Sequence, residues 1–411
     1  MRSMTPLAAP ATPARAARIL IVDDSAVMRS LLRSVVSTDK RLEVVGTASD
    51  GASALRAMQS TRPDLVLLDV EMPGMDGVST LKQMKVIGSR IPVIMCSSLT
   101  QRGAKVTIEA LASGAADYVA KPVGQPSREA AIQSLAHDLV PKILALTAYA
   151  TAGTQPSQVS SAFSPAPLAS PRNAVEPRSL WPGMPLPAAA VPSPGAPGTM
   201  PLPVSSAPPA VLLIGVSTGG PAALDVLLPA LPANFPLPVL IVQHMPELFT
   251  KLLAERLNGR CPLRVTEAVA GEPVRAGSIY IARGDWHMEV VSAASGAPVL
   301  RLTQEAPENH CRPAVDVLFR TAVTVYNARI LAVVLTGMGY DGLIGSRLIR
   351  EHGGSVLAQD QATSAVWGMP GAVAQAGLAQ RILPLNAIAP EILRLTGRSK
   401  REASELRESA V

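Results

Sequence analysis

The chain has 411 residues, of which 48% are apolar and only 3% aromatic, and it carries a formal net charge of +6 at pH 7. This length suggests two or three domains with mainly aliphatic cores. The basic residues form no run interleaved with aromatics, which disfavours a nucleic-acid-binding stripe, and no apolar run reaches the roughly 18 residues of a membrane span.

The N-terminal segment and the cysteines bear on the cellular compartment. Residues 1–17 are basic and interrupted by prolines, and they lack the apolar stretch of a secretory signal. The chain has three cysteines, Cys96, Cys261 and Cys311, and no two of them have C-x-x-C spacing. An odd number of cysteines without this spacing disfavours both a disulfide framework and a structural zinc site. We therefore expect a soluble, cytoplasmic protein with a disordered N-terminal extension over residues 1–17.

Short apolar runs alternate with segments of helical spacing from residue 19 to about residue 123. This alternation predicts a parallel sheet with helices on both faces, and it places ligands at the carboxyl ends of the strands. We assign residues 18–150 to this first domain. The predicted strands are 19–22, 42–45, 65–68, 93–96 and 118–119.

Polar side chains follow four of these five strands, and they are Asp23, Asp24, Asp69, Ser97 and Lys121. Three carboxylates at one edge repel each other unless a cation joins them, and hard oxygen ligands select Mg²⁺. Taken singly, each residue could cap a helix or end a strand. Acids, a hydroxyl and a lysine at successive strand ends favour a functional site instead.

These segments resemble the response-regulator receiver family, through the motifs VDDS, LLDVEMPGMDG, MCSS and YVAKP. The resemblance implies a flavodoxin-like fold in which Asp69 accepts a phosphoryl group from a histidine kinase. It implies that Asp24 and Asp69 bind Mg²⁺ in a metal site that Asp23 completes. It also implies that Ser97 and Lys121 contact the phosphoryl oxygens.

Composition changes sharply over residues 151–209, which are rich in proline, alanine and serine. The charged residues of this stretch are only Arg172, Glu176 and Arg178. Such a segment buries too little apolar surface to offset the entropy of ordering, so we predict a disordered linker. The second domain then covers residues 210–397, and a disordered C-terminal tail covers residues 398–411.

The second domain opens with residues 211–220, VLLIGVSTGG, an apolar strand that runs into a glycine-rich turn containing Ser217. Three interpretations of this turn compete. The sequence G-V-S-T-G fits a nucleophile elbow, a glycine-rich turn can cradle a phosphate, and the turn can be purely structural. The turn alone does not decide between them.

Two later strands deliver further candidates for catalysis. The apolar run 237–243 ends before His244, and the run 330–335 leads into TGMGYDG, which contains Asp341. His287 and His310 fall in stretches that read as irregular. Because Ser217, His244 and Asp341 all follow strand ends in a second doubly wound sheet, we expect them on one edge.

The second domain resembles the catalytic domain of protein-glutamate methylesterases of bacterial chemotaxis systems. The motifs that carry the resemblance are IGVSTGG, VQHMP, IYIARGDWHME, RPAVDVLF, LTGMGYDG and AVWGMPGAV. It implies a Rossmann-like esterase without a cofactor, with Ser217 as nucleophile, His244 as base and Asp341 as orienting acid. Backbone N–H groups at Thr218 and Met338 would hold the oxyanion.

The two resemblances together imply a phosphorylation-regulated hydrolase that removes methyl esters from glutamate residues of chemoreceptors and deamidates receptor glutamines. The sequence departs from the expected pattern at Cys311, where a histidine would precede Arg-Pro, and at Gln361, where an acid is common. One alternative is a phosphorylation-controlled scaffold with an inactive second domain. A DNA-binding regulator is disfavoured because no helix-turn-helix pattern follows the linker.

Overall fold

The computed structural model describes residues 15–98, 100–152 and 207–397. Residues 1–14 of the predicted N-terminal extension, residues 153–206 of the predicted linker and the predicted C-terminal tail lie outside the described residues, so their disorder stays a prediction. Ala17, at the end of the predicted extension, begins the first strand instead. The chain divides into two compact units, and each contains its own parallel sheet. No helix in the described ranges is both long enough and apolar enough to cross a membrane.

The first sheet has five strands in the order β2-β1-β3-β4-β5, which is the flavodoxin-like order. Its central strands are short apolar runs with both faces buried, as parallel strands between helices require. The strands are β1 Ala17–Val22, β2 Leu42–Ala48, β3 Leu65–Asp69, β4 Val93–Ser97 and β5 Asp117–Ala120.

Helices follow the strands of the first sheet, and short polar side chains begin most of them. Ser25, Asp50, Asp76 and Thr100 each accept a hydrogen bond from a backbone N–H in the first turn of a helix, which satisfies one of its unpaired donors. The helices are α1 Ala26–Val36, α2 Gly51–Thr61, α3 Gly77–Val86, α4 Gln101–Ala112 and α5 Arg128–Ala152.

The second sheet has seven strands in the order β14-β13-β12-β6-β7-β9-β8, and all its neighbouring pairs are parallel. The prediction of two parallel-sheet α/β domains is therefore confirmed. The strands are β6 Val211–Val216, β7 Val239–Gln243, β8 Arg264–Glu267, β9 Ser278–Ile281, β12 Ile330–Val334, β13 Ser355–Gln359 and β14 Arg381–Leu383.

The order of this sheet reverses at β6. The chain moves from β6 to β7 on one side and later returns to β12 on the other, so the carboxyl ends of β6 and β12 flank a topological switch point, where doubly wound sheets bind ligands. The helices of this unit are α6 Gly220–Leu227, α7 Glu247–Asn258, α8 Val315–Tyr326, α9 Leu343–Glu351, α10 Met369–Gln375 and α11 Leu385–Leu395.

An antiparallel hairpin, β10 His287–Ser292 with β11 Pro298–Thr303, lies outside the seven-stranded sheet. The interpretation of His287 as part of an irregular stretch was wrong, because it begins β10 and is buried. Its Nδ1 accepts a hydrogen bond from the Ala314 amide at 3.2 Å, directly before α8. His287 thus ties the hairpin to the start of that helix.

One hydrophobic core joins the hairpin, helix α8 and one face of the sheet. Alternate residues of β6 and β12, such as Leu213 and Val334, point into it together with Phe319 of α8 and Met288 of β10. These side chains are completely buried, so α8 and the loop before it are held firmly over the sheet.

Candidate active site

Ser217 lies in the tight turn between β6 and α6. Its amide donates to Thr336 O at 3.0 Å, and its carbonyl accepts from Gly220 N at 2.8 Å and Gln243 Nε2 at 3.0 Å. Gly219 has φ +78°, a conformation that glycine adopts without strain. The turn is therefore fixed by three hydrogen bonds at Ser217 while the serine side chain stays partly accessible.

His244 directly follows β7, and its backbone continues the pairing with β6 through a hydrogen bond to Val216 O at 3.2 Å. Its Nε2 lies 2.8 Å from Asp341 Oδ2. The side chain of His244 is 13% exposed and that of Asp341 is 3% exposed, so this pair is largely removed from water. Water exclusion strengthens the hydrogen bond between a carboxylate and an imidazole.

Asp341 lies in the loop between β12 and α9 and accepts hydrogen bonds through both oxygens. Oδ2 accepts from Val315 N at 2.6 Å in addition to its contact with His244. Oδ1 accepts from Asp316 N at 3.0 Å, Asn309 Nδ2 at 2.9 Å and Gly342 N at 3.0 Å. The start of α8 thus holds this carboxylate in one orientation.

The charges around this network shift three pKa values. Burial raises the pKa of Asp341, but the hydrogen bonds from His244 and from backbone amides outweigh it and hold that pKa below its usual range. Burial and the neighbouring charge of Asp341 raise the pKa of Asp316. Burial alone would lower the pKa of His244, but Cys311 and Asp341 together raise it.

Cys311 and Asn309 contact the candidate triad, and neither was predicted to do so. Cys311 Sγ lies 3.5 Å from His244 Nδ1, and Asn309 bridges Asp341 and Asp316 through its amide nitrogen. The sequence distinguished Cys311 only as a departure from the family pattern. Among the described residues, the hydrogen bonds include none from Ser217 Oγ to His244.

Two backbone amides near Ser217, those of Thr218 and Met338, lack a hydrogen-bond acceptor among the described residues. Thr218 N belongs to the turn after β6, and Met338 N belongs to the loop after β12. The pairing of Ser217 N with Thr336 O brings these two segments side by side.

The first unit holds the other predicted cluster. Lys121 Nζ lies 2.8 Å from Asp23 Oδ2 and 2.7 Å from Asp69 Oδ1, and the Lys121 amide donates to Ser97 O at 2.7 Å. Burial raises the pKa of Asp69 to about 6, although Lys121 opposes this shift. The structure therefore brings these predicted residues together at the carboxyl edge of the first sheet.

The acidic residues of this edge fit a divalent cation. Asp23, Asp24 and Asp69 each offer a carboxylate oxygen, and these oxygens all lie within 4.8 Å of one another. Carboxylate oxygens are the hard ligands that Mg²⁺ prefers, and a cation would relieve their mutual repulsion. His244, Cys311 and Asp341 also lie within this distance, but both Asp341 oxygens are occupied by N–H donors, so we interpret that group as a hydrogen-bond network.

Two family models match separate segments of this chain. A family model described as CheB methylesterase matches residues 212–392, and a response regulator receiver domain model matches residues 19–133. The crystal structure of the Thermotoga maritima CheB methylesterase catalytic domain is 43% identical and covers 46% of this chain and 98% of that chain, with a TM-score of 0.45.

Relatives that align with more than nine tenths of this chain are named protein-glutamate methylesterase/protein-glutamine glutaminase. The relative from Nocardioides sp. is 47% identical over 93% of this chain and 96% of its own length. The relative from Trichodesmium erythraeum is 43% identical over 92% of this chain and 99% of its own length. Both family resemblances are thus confirmed, and the chain belongs to the protein-glutamate methylesterase/protein-glutamine glutaminase family, with a receiver domain before the methylesterase domain.

Proposed function

We propose that this protein removes methyl esters from glutamate residues of chemoreceptors with Ser217, His244 and Asp341 as its catalytic residues. The observation that carries the proposal is the 2.8 Å contact between His244 Nε2 and Asp341 Oδ2 beside the Ser217 turn. This contact occupies one imidazole nitrogen and leaves Nδ1 as the proton acceptor. It also orients the ring, as the acid of a catalytic triad does.

The reaction is acyl transfer to water. His244 Nδ1 takes the proton of Ser217 Oγ while Oγ attacks the ester carbonyl carbon, and the bond to the methoxy group then breaks. The departing methoxy oxygen takes the proton from His244 and leaves as methanol. Water attacks the acyl-enzyme by the same route, which regenerates Ser217 and releases the glutamate carboxylate.

The amides of Thr218 and Met338 stabilise the oxyanion of both tetrahedral intermediates. Their N–H groups have no hydrogen-bond partner among the described residues; Thr218 belongs to the Ser217 turn, and Met338 belongs to the adjacent loop after β12. A single donor of this kind contributes on the order of 10²- to 10³-fold to the rate, because it is aimed at charge that develops only in the transition state.

Glutamine deamidation follows the same path with ammonia as the leaving group. The carbonyl carbon, the nucleophile and the oxyanion donors keep their roles, since addition of Ser217 to an amide or to an ester gives a tetrahedral intermediate of the same geometry. The relatives carry both activities in their name, protein-glutamate methylesterase/protein-glutamine glutaminase. We therefore include deamidation of receptor glutamines in the proposal.

Asp69 is the proposed phosphoacceptor of the receiver domain, with a histidine kinase as phosphodonor. Its Oδ1 lies 2.7 Å from Lys121 Nζ, a point charge suited to a phosphoryl oxygen. Ser97, the last residue of β4, would contact the phosphoryl group through its hydroxyl. Asp23, Asp24 and Asp69 would hold Mg²⁺, which neutralises phosphate charge when bound. A cytoplasmic location completes the proposal.

Methanol release from methylated receptor tests the catalytic assignment. Ser217→Ala should lower the rate by a factor on the order of 10⁴ or more, because the nucleophile is lost. Ser292→Ala, at the exposed end of β10, is the matched control and should keep the wild-type rate. Near-wild-type release by Ser217→Ala would show that another residue is the nucleophile.

A further inference from the structure

Cys311 is held against the catalytic imidazole by a rigid turn. Glu308 and Cys311 exchange two backbone hydrogen bonds, of 3.1 and 2.8 Å, around Asn309 and His310. Both of these intervening residues have positive φ, 53° and 62°, which is uncommon outside glycine and closes the turn tightly. On the other side, the guanidinium of Arg312 is ion-paired with Asp285 at 2.6 Å.

The sulfur meets the one imidazole nitrogen that catalysis needs. Nε2 of His244 is bound to Asp341, and Nδ1 lies 3.5 Å from Cys311 Sγ. A neutral imidazole with its proton on Nε2 accepts the thiol hydrogen at Nδ1, whereas an imidazolium donates its Nδ1 hydrogen to the sulfur. In either protonation state, Cys311 occupies the position from which Ser217 must be deprotonated.

We propose that Cys311 is a positioning residue of the esterase, which holds Nδ1 of His244 and sets the pH above which this nitrogen can take the Ser217 proton. The inference rests on the proposed esterase function. Cys311 does not become covalently bonded to substrate, and the thiol leaves Nδ1 when Ser217 engages it.

The titratable groups around the imidazole determine whether Cys311 raises or lowers the pKa of His244. Asp341 faces His244 from the loop after β12, and Cys311 faces it from the loop before α8. Asp316 of α8 lies behind Asp341 and shares the Asn309 amide with it. Cys311 and Asp341 raise the pKa of His244, so removing the sulfur should make the imidazole lose its proton at lower pH.

A titration of the His244 imidazole by NMR tests the inference without relying on activity. The full-length chain has five histidines, so histidine-labelled protein gives few signals, and His244→Gln identifies the relevant one. The midpoint of His244 should fall by about one pH unit in Cys311→Ala, as expected when the imidazolium loses a close hydrogen-bond acceptor. Cys311→Ser should give an intermediate midpoint. Cys261→Ala, a partly exposed cysteine elsewhere, should leave it unchanged.

The pH profile of methanol release is the second readout. The acidic limb of kcat/KM should move to lower pH in Cys311→Ala by the same amount as the NMR midpoint. If Cys311 only filled space, its replacement by alanine would lower kcat/KM by the same factor at every pH. The acidic limb of the pH profile would then stay at the same pH. The inference would be overturned if the His244 titration midpoint were unchanged in both Cys311 variants, or if the acidic limb of the kcat/KM profile did not move.

Other outcomes separate this inference from the proposed function. If wild-type protein released no methanol, the esterase assignment would fail, while the NMR midpoints would still decide whether Cys311 controls His244. If Cys311→Ala unfolds, Cys311→Ser supplies the comparison. Loss of all turnover in Cys311→Ser, with turnover kept in Ser217→Ala, would make the sulfur the nucleophile and refute a positioning role.

Discussion

Both oxygens of Asp341 are occupied by N–H donors, and this fixes the imidazole of His244 from one side. Three of the five donors are backbone amides, at Val315, Asp316 and Gly342. Because backbone amides at a helix start cannot rotate away, the carboxylate is held in one orientation toward His244. The residue therefore orients the histidine and stays ionised.

Asp341→Asn should impair catalysis and stability together. The asparagine NH₂ group would face either His244 or the amide donors, so the histidine tautomer would be wrong or a buried donor would lose its acceptor. We expect turnover to fall on the order of 10³- to 10⁴-fold, and the free energy of unfolding to fall by about 1 to 3 kcal/mol. Methanol release and thermal unfolding measure the two effects, and Asp138→Asn on the exposed face of α5 is the control.

The stability difference should depend on pH in a defined direction. The pKa of Asp341 is lowered in the folded protein, so its stabilisation is present above the ordinary carboxyl pKa and is lost as pH falls through the lowered value. The difference in the free energy of unfolding between wild type and Asp341→Asn should become smaller as the pH is lowered. A difference in the free energy of unfolding that became larger at acidic pH would contradict the hydrogen-bond network around Asp341.

Single residues differ in how well the sequence locates them. Ser217 and His244 directly follow apolar strands, and strand ends are visible as the point where an apolar run stops. Asn309 and Cys311 lie in a turn whose shape depends on two non-glycine residues with positive φ, which no local pattern predicts. Their contacts with His244 and Asp341 arise only after the sheet and α8 have packed.

At the scale of elements, the loop after β12 approaches the Ser217 turn very closely. A Cβ added at Gly337 would lie 2.8 Å from the Ser217 Cβ, which is closer than real Cβ atoms come. It would also strike the Met369 sulfur at the start of α10. Gly337 therefore lets two loops meet at the switch point of the sheet.

Gly337→Ala should displace Ser217, the proposed nucleophile, without removing any proposed catalytic group. A misplacement of about 1 Å costs roughly 10²-fold in rate, and overpacking costs about 1 to 3 kcal/mol of stability. Steady-state kinetics should show the loss in kcat. Gly259→Ala after α7 is the control, because its nearest neighbour would lie 3.5 Å away. Wild-type kcat in Gly337→Ala would mean that the loops tolerate a side chain there.

The elements that the sequence predicted best are the buried central strands. Continuous apolar runs predicted β1, β3, β4, β6, β7 and β12, because other elements bury both faces of these strands. The hairpin β10–β11 was missed, since His287 and Glu289 interrupt the apolar residues of β10, and β11 contains only one buried residue, Leu300. Edge strand β14 has only three residues, too few for a periodic signal.

At the scale of the whole molecule, each unit carries one cluster of polar residues at the carboxyl edge of its own parallel sheet. Asp69 and Lys121 occupy the edge of the first sheet, and Ser217 and His244 occupy the edge of the second. The proposed chemistry and its proposed control therefore depend on different residues. Variants can remove one and leave the other.

Methanol release with and without a small-molecule phosphodonor, in the presence of Mg²⁺, is the most direct test of a phosphorylation-regulated esterase. Coupling between two sites usually lies between about 5- and 150-fold, and we expect the phosphodonor to raise release by wild-type protein within this range. The exposed variant Glu43→Gln should respond like wild type. Asp69→Asn should show no increase, and omission of Mg²⁺ should abolish the wild-type response. An equal increase in Asp69→Asn, or no increase in wild type, would contradict the account.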